Sequence, residues 1–296
     1  MKYQKDKDCR IFEIQTASFC NADCIICPHR VYKRALPQGV MTMNLFRRIL
    51  EQIPNRSSTR VVLYFNNEPL LDPLFLERLR LLNELLPKVK LEISTNVSLL
   101  DGSYQSRISD IDGLIIDELR LSVFGFTPAS HNYMMPGLKW KNVWSNFNKL
   151  AGNRKLRKNI RRISLVMIDY HLDKGDIRQA KDFCLKNEFI FHRWGFLDRA
   201  KNVSGPSNNI FKPKIAGCEQ QRPQKRLHIL FTGQVVLCCM DWAVKYVLGD
   251  LNQSSIKEVW NSAAYRSIRR KISGQERSAK DFICKFCKLA IANDQI

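Results

Sequence analysis

The ten cysteines of this 296-residue chain gather towards its two ends. Cys20, Cys24 and Cys27 share one short stretch. Cys218, Cys238, Cys239, Cys284 and Cys287 crowd the last third, and Cys9 and Cys184 stand apart from both groups. Few folds accommodate thiols in this way. In an oxidising compartment they would pair as disulfides; in a reducing one, clustered thiols are metal ligands or catalytic groups. The stretch from Met1 to Asp8 lacks the apolar run of a signal peptide. No apolar run approaches the roughly 18 residues of a membrane span. The expectation is a cytoplasmic protein whose thiols bind metal, with Cys9 and Cys184 as plain buried thiols.

The spacing of the first group narrows the choice. Cys20-x3-Cys24-x2-Cys27 directly follows a β-type run. Three thiolates on one loop can hold three irons of a [4Fe–4S] cluster and leave the fourth iron open. An open position makes a metal centre reactive rather than structural. A zinc site closed by His29, or three unrelated thiols, remain as alternatives on spacing alone.

The loop sits in a regular context. Between about residues 11 and 195, β-type runs at 11–16, 61–65, 90–94, 119–123, 163–168 and 189–194 alternate with other segments. Helical patterns cover 43–53, 73–86, 142–150 and 176–186. Six strands alternating with helices imply parallel pairing through βαβ units. The fold class is therefore α/β, either an open doubly wound sheet or a full or partial (β/α) barrel. After residue 200 the pattern changes. Residues 201–217 are rich in Asn, Ser, Gly, Pro and Lys and read as a linker. Two short β-type runs, 227–231 and 234–237, flank a Thr232-Gly233 turn. One or two amphipathic helices follow over 255–271, with Ser254 or Ser255 as N-cap.

The C-x3-C-x-φ-C motif resembles that of the radical S-adenosylmethionine (SAM) superfamily, in which φ is usually aromatic; here it is Ile26. Further landmarks of that superfamily fall in order along the chain. Asn66-Asn67-Glu68-Pro69 resembles its Gly-Gly-Glu-Pro segment, with both glycines replaced. Ser94-Thr95-Asn96 resembles its ribose-contacting segment. Leu121-Ser122-Val123-Phe124-Gly125, with His131-Asn132 downstream, resembles its fourth-strand stretch. The Arg that some relatives place next has no counterpart. The resemblance implies a partial (β/α)6 TIM-like barrel. It assigns Cys20, Cys24 and Cys27 to the cluster and Ile26, Glu68, Thr95, Asn96 and Ser122 to SAM.

The second cysteine group resembles the twitch domain, a shortened SPASM domain that follows some radical SAM barrels. Cys218, Gly233-x4-Cys238 and Cys284-x2-Cys287 would ligate one auxiliary [4Fe–4S] cluster, with Cys239 as the alternative to Cys238. Zinc suits four cysteines equally well. The implied organisation is a barrel over 1–200, a linker over 201–217 and a small α+β cluster domain over 218–296.

The implied chemistry is reductive cleavage of SAM to a 5′-deoxyadenosyl radical, which takes a hydrogen atom from a substrate carbon. A second cluster near the substrate makes a net two-electron oxidation natural. The chain resembles radical SAM dehydrogenases of aminocyclitol biosynthesis, whose Arg after strand six matches Arg199 in Leu197-Asp198-Arg199-Ala200. Asp241, His192 and His228 are candidate proton acceptors. Lys plus Arg number 48 against 28 Asp plus Glu, a net charge of +20. That excess suits an anionic partner. The first expectation is oxidation of a sugar, cyclitol or nucleotide-sugar alcohol, with flavodoxin or ferredoxin as reductant. A maturase acting on a ribosomal peptide is the second. A zinc-bearing nucleic-acid-binding protein is the third, and no recognition helix or RNA-stacking motif supports it.

Overall fold

The computed structural model describes residues 9–205 and 211–293. The N-terminal stretch 1–8 and residues 206–210 of the segment read as a linker lie outside the described residues. The six expected strands are β1 (Ile11–Ile14), β2 (Arg60–Val62), β3 (Lys90–Thr95), β4 (Glu118–Ser122), β5 (Ile163–Asp169) and β6 (Ile190–Gly195). They pair in that order, all parallel. The connecting helices are α1 (His29–Tyr32), α2 (Met43–Leu50), α3 (Phe75–Leu85), α4 (Gly102–Ser109), α5 (Pro128–Met134), α6 (Trp140–Gly152), α7 (Arg154–Lys158) and α8 (Lys174–Asn187).

Alternation along the strands separates two faces. Phe12, Ile14, Leu91, Ile93, Leu119, Leu121 and Leu165 are buried in the apolar layer shared with the helices. The residues between them are polar, among them Glu13, Glu92, Ser94, Glu118, Arg120, Ser122 and Ser164. Successive strand residues point to opposite faces, so these share the inner wall of the barrel. The helices dock the same way: α2 buries Leu45, Phe46, Ile49 and Leu50. Side-chain caps start them, from Thr42 for α2, Asp101 for α4 and Asp173 for α8. Each cap satisfies an N–H that the helix itself cannot.

The C-terminal part comprises β7 (Ile215–Cys218), α9 (Arg222–Lys225), β8 (Arg226–Ile229), β9 (Gln234–Val236), β10 (Val247–Asp250), α10 (Ile256–Trp260), α11 (Ala263–Ile272) and β11 (Ala290–Ala292). The expected hairpin is β8–β9, with Gly233 at φ +92° in its turn. Ser255 caps α10 in a capping box with Glu258. The hairpin also joins the barrel: β8 pairs parallel with β1, from Ile11↔Arg226 to Ile14↔Ile229. One nine-stranded sheet therefore runs β10-β9-β8-β1-β2-β3-β4-β5-β6. A separate two-stranded sheet pairs β7 with β11.

Candidate active site

The stretch after β1 carries Cys20, Cys24 and Cys27 and has almost no regular structure of its own. Its neighbours hold it. Phe19 O accepts from Glu68 N at 2.8 Å, Asp23 N donates to Pro136 O at 2.7 Å, and Ile25 N donates to Met134 O at 3.1 Å. Cys27 N closes a turn onto Cys24 O at 3.0 Å. The end of α5 and the segment after it thus form a cradle for the cysteine loop. Gly137, at φ +91°, completes that cradle, since a Cβ there would stand 2.8 Å from Asn21 O. Ile26 is buried between the last two cysteines.

Burial pushes the Cys20 thiol up to about 12, with Glu68 adding to it. Burial raises Cys24 well above the usual thiol range, followed by the nearby Cys27 and Cys20. Thiols packed together in low dielectric resist ionisation unless a cation joins them, and a bound metal reverses that balance. The donor set fits an iron–sulfur cluster in this respect. His29 turns Nε2 to the Ser18 carbonyl at 3.3 Å. Among the described residues no three His, Cys, Asp or Glu groups converge as ligands of one ion. A cubane spreads its thiolates over separate irons.

Glu68 is 2% exposed, just before a 3₁₀ turn at Pro69–Leu71. Its carboxylate accepts from Thr95 Oγ1 at 2.7 Å, Asn96 N at 2.7 Å and Leu70 N at 3.2 Å. Burial still pushes its carboxyl up to about 7, against the pull of those donors. Three of roughly four acceptor positions are therefore filled. Asn96 Nδ2 donates to Asn21 Oδ1 at 2.8 Å, Asn21 Nδ2 to Ser98 Oγ at 2.9 Å, and Ser98 Oγ to Asn96 Oδ1 at 2.7 Å. The ring of bonds ties the end of β3 to the cysteine loop. Glu68, Thr95, Asn96 and Asn21, the residue after Cys20, thus belong to one connected network. Asn67 accepts from Phe65 N at 3.0 Å, while its buried Nδ2 has no partner among the described residues. An unmet donor and a carboxylate of raised pKa fit a zwitterionic ligand such as the methionine end of SAM.

Below this level lies a wall that sequence reasoning did not single out. Tyr64 donates to Glu92 Oε1 at 2.5 Å, and Arg120 Nη1 donates to the Tyr64 hydroxyl at 2.8 Å. Arg120 also pairs with Glu92 at 2.7 Å and Glu118 at 3.1 Å. Burial would raise the Glu118 carboxyl, but Arg120, Ser164 and Arg162 hold it below its usual value. The Trp194 ring, 43% exposed, lies 5.4 Å from the Arg120 guanidinium carbon. The register Ser122↔Val166↔His192 carries one row of the wall to the edge strand. Ser94 and Ser122 hydroxyls meet at 3.0 Å. The period-2 alternation of β4 could have revealed Arg120.

Cys218 ends β7, opposite Ala290 of β11. Cys238 follows β9, and Cys284 lies on a 3₁₀ turn, Ile283–Phe286, that closes with Cys287 N on Cys284 O at 3.2 Å. Lys212 Nζ donates to the Cys287 and Lys288 carbonyls at 3.3 and 3.1 Å and to Ala290 O. Burial raises Cys284, with Cys238, Cys287 and Cys218 adding to it in that order. This is the same unmet demand for a cation as in the first group.

The remaining candidates fall in different places. Arg199 is at φ +53°, the first of three successive left-handed residues, and its charge bears on Cys27. Among the described residues no ion pair joins it to Asp198, whose Oδ1 instead accepts from Ala200 N at 3.1 Å. Asp241 accepts from Lys245 N at 2.9 Å and Tyr246 N at 2.8 Å, one bond on each oxygen. Burial raises its carboxyl against those two bonds. His228 is fully buried, 3.5 Å from Glu13. His192 is half-buried, its ring 6.1 Å from that of Trp194. Cys9 and Cys184 are buried thiols, and Cys9 Sγ donates to the Lys225 carbonyl at 3.7 Å.

Comparison with known proteins bears on this geometry. Residues 14–183, more than half the chain, match the family model of the radical SAM superfamily. Residues 218–288 match an iron–sulfur cluster-binding domain, SPASM. The S-adenosyl-L-methionine-dependent 2-deoxy-scyllo-inosamine dehydrogenase of Niallia circulans is 25% identical over 283 residues, covering 95% of this chain and 94% of that protein. The structure of BtrN in complex with AdoMet and 2-DOIA superimposes with a TM-score of 0.61 at 19% identity, over 96% of this chain and 94% of that one. Streptococcus suis SuiB bound to precursor peptide SuiA gives 0.68 at 14% identity, over 95% of this chain and 70% of that one. Among the described residues no helix is long and apolar enough to cross a membrane.

Proposed function

The chain belongs to the radical SAM superfamily and carries a SPASM-type cluster domain, and from that premise we propose that it oxidises an alcohol of a sugar, cyclitol or nucleotide-sugar to a ketone. Its cofactors are SAM and [4Fe–4S] clusters, one at Cys20, Cys24 and Cys27 and one at Cys218, Cys238, Cys284 and Cys287. The observation that carries the reading is the parallel pairing of β1 with β8. It sets the strand leading to the first cysteine group beside the hairpin leading to Cys238, within one sheet. That favours a substrate held between two electron-transfer groups, as a two-electron oxidation requires. The Niallia circulans dehydrogenase, similar end to end, supports the same reaction class.

When bound, SAM and the first cluster would supply hydrogen-atom abstraction at a substrate carbon, and the second cluster would supply a one-electron acceptor. The chain's own residues do the rest. Glu68 and the Asn67 amide hold the methionine end of SAM, with Ile26, Thr95, Asn96 and Ser122 on its nucleoside side. Tyr64, Ser94 and Arg120 offer hydrogen bonds to a hydroxyl-rich ring, and Trp194 covers its apolar face. Arg199 steers an anionic group of the substrate, in keeping with the net charge of +20. His192 on the inner wall takes the hydroxyl proton. Asp241, with a backbone bond on each oxygen, holds the turn into β10.

The test is anaerobic incubation of the reconstituted, reduced protein with SAM and candidate alcohols, followed by mass spectrometry. A product two daltons lighter, formed with one 5′-deoxyadenosine per turnover, supports the oxidation. An isomer, a dehydrated product or a cross-linked peptide overturns it.

A further inference from the structure

We propose that Arg222 is a positioning residue of the C-terminal thiol group: it holds Cys239 out of ligation and places a fixed positive charge that raises the reduction potential of the auxiliary cluster. The inference rests on the two-cluster reading above and adds what neither motif nor relatives assign.

The geometry begins at Gln221, whose φ of +49° is uncommon for a residue with a side chain. That turn, three residues after Cys218, starts α9 with Arg222 as its first residue. Arg222 Nη1 donates to Cys239 Sγ at 2.6 Å. Gln220 Oε1 accepts from Nε at 2.9 Å and Nη2 at 2.6 Å, so the guanidinium is gripped along its other edge. Among the described residues no carboxylate lies within ion-pair distance of Arg222, and Glu13 is engaged by Arg226 at 3.3 Å. Burial disfavours the charge, yet Cys239, Cys238, Glu13 and Cys218 together hold it firmly on. Arg222 is thus a cation held between the Gln220 amide oxygen and the Cys239 sulfur.

Two consequences follow. Cys238 and Cys239 are adjacent, so one must turn away from the set. Cys238 stands at the Gly233-x4-Cys position of the auxiliary ligand set, and its Sγ accepts from Met240 N at 3.4 Å. Cys239 is the sulfur that Arg222 occupies. Secondly, reduction adds a negative charge to an iron–sulfur cluster. A fixed guanidinium at a partly desolvated site stabilises that state more than the oxidised one. The auxiliary cluster is thereby a better electron acceptor, which suits the oxidation proposed above.

The experiment uses the full chain carrying C20A, C24A and C27A, which confines iron to the second group. After anaerobic reconstitution, iron is counted and the midpoint potential is read by EPR-monitored titration. R222Q should lower the midpoint, and R222K should stay near the parent. C239S should keep about four irons per chain and C238S should lose them. A loaded R222Q cluster with the parent's midpoint, or iron lost by C239S and kept by C238S, overturns the inference alone. Zinc in place of iron in the parent overturns the two-cluster reading as well. If R222Q does not fold, the C238S and C239S iron counts still decide the ligand assignment, and R222M replaces R222Q as the uncharged variant whose midpoint should fall.

Discussion

Asn96 Nδ2 donates to Asn21 Oδ1 at 2.8 Å, joining the end of the third barrel strand to the loop that carries the first three cysteines. The same Asn96 gives its backbone N–H to Glu68. One residue therefore couples the cluster loop to the carboxylate assigned to SAM. Replacing Asn96 with Ala removes the side-chain bonds and leaves Asn21 and Ser98 short of partners. SAM should bind roughly tenfold more weakly, corresponding to about 1.4 kcal/mol. Equilibrium dialysis under anaerobic conditions measures it, with iron content unchanged as the control. Unchanged affinity would break the link drawn here.

Gly137→Ala probes the cradle from the other side. The added Cβ meets Asn21 O, and the positive φ disfavours any side chain. The expected cost is about 2 kcal/mol. It should fall on the first cysteine loop, so iron at that group should drop while the second group stays loaded. Equal loss from both groups would mean global unfolding instead.

Arg120 and Trp194 separate folding from substrate binding. Arg120→Ala leaves Glu92 and Glu118 with fewer partners in a mostly buried wall. Stability should fall by about 2 kcal/mol, discounted for the partial exposure of the guanidinium. Trp194→Ala removes a ring that is substantially exposed and should cost under about 1 kcal/mol. Its effect should appear in KM rather than in the melting temperature. An unaltered KM for the accepted alcohol contradicts the wall's assigned role.

Acid should destabilise the protein through two fully buried histidines. Burial lowers His131, and burial with Arg222 and Arg226 lowers His228 well below the usual range. A depressed folded pKa means stability is complete above the unfolded value near 6.5 and is lost as pH falls below it. The loss is up to about 1.4 kcal/mol per pH unit for each ring. Denaturant melts at pH 7.5 and 5.5 measure it. His228→Asn should flatten the slope between those values, and an unchanged slope would exclude His228 as its source.

Much of this fold is legible in the chain because its outer strand faces repeat strictly. Leu119, Leu121 and Val123 alternate with Arg120 and Ser122, and α2 repeats its apolar residues at helical spacing. The short helices α4 and α7 escape notice because their stability comes from caps at Asp101 and Asn153 rather than from an apolar stripe. Strands β7 and β11 are too brief to show a period, and β7 begins at Ile215 within a Lys- and Pro-rich stretch. The parallel pairing of β1 with β8 spans more than 200 residues of sequence separation and leaves no local trace. The first site is legible as motif and order: Glu68 bonds to Thr95 and Asn96, and Asn96 bonds to Asn21 next to Cys20. Its supports are not, since Met134, Pro136 and Gly137 act through backbone atoms whose position no side-chain pattern encodes.

The central claim is that Cys20, Cys24 and Cys27 hold a cluster that opens SAM. The direct measurement is 5′-deoxyadenosine formed from SAM by the anaerobically reconstituted, dithionite-reduced protein. The account predicts its formation by the parent and its absence when any of the three cysteines becomes Ala. A parent fully loaded with iron and sulfide that releases none, or an Ala variant that releases as much as the parent, would contradict it.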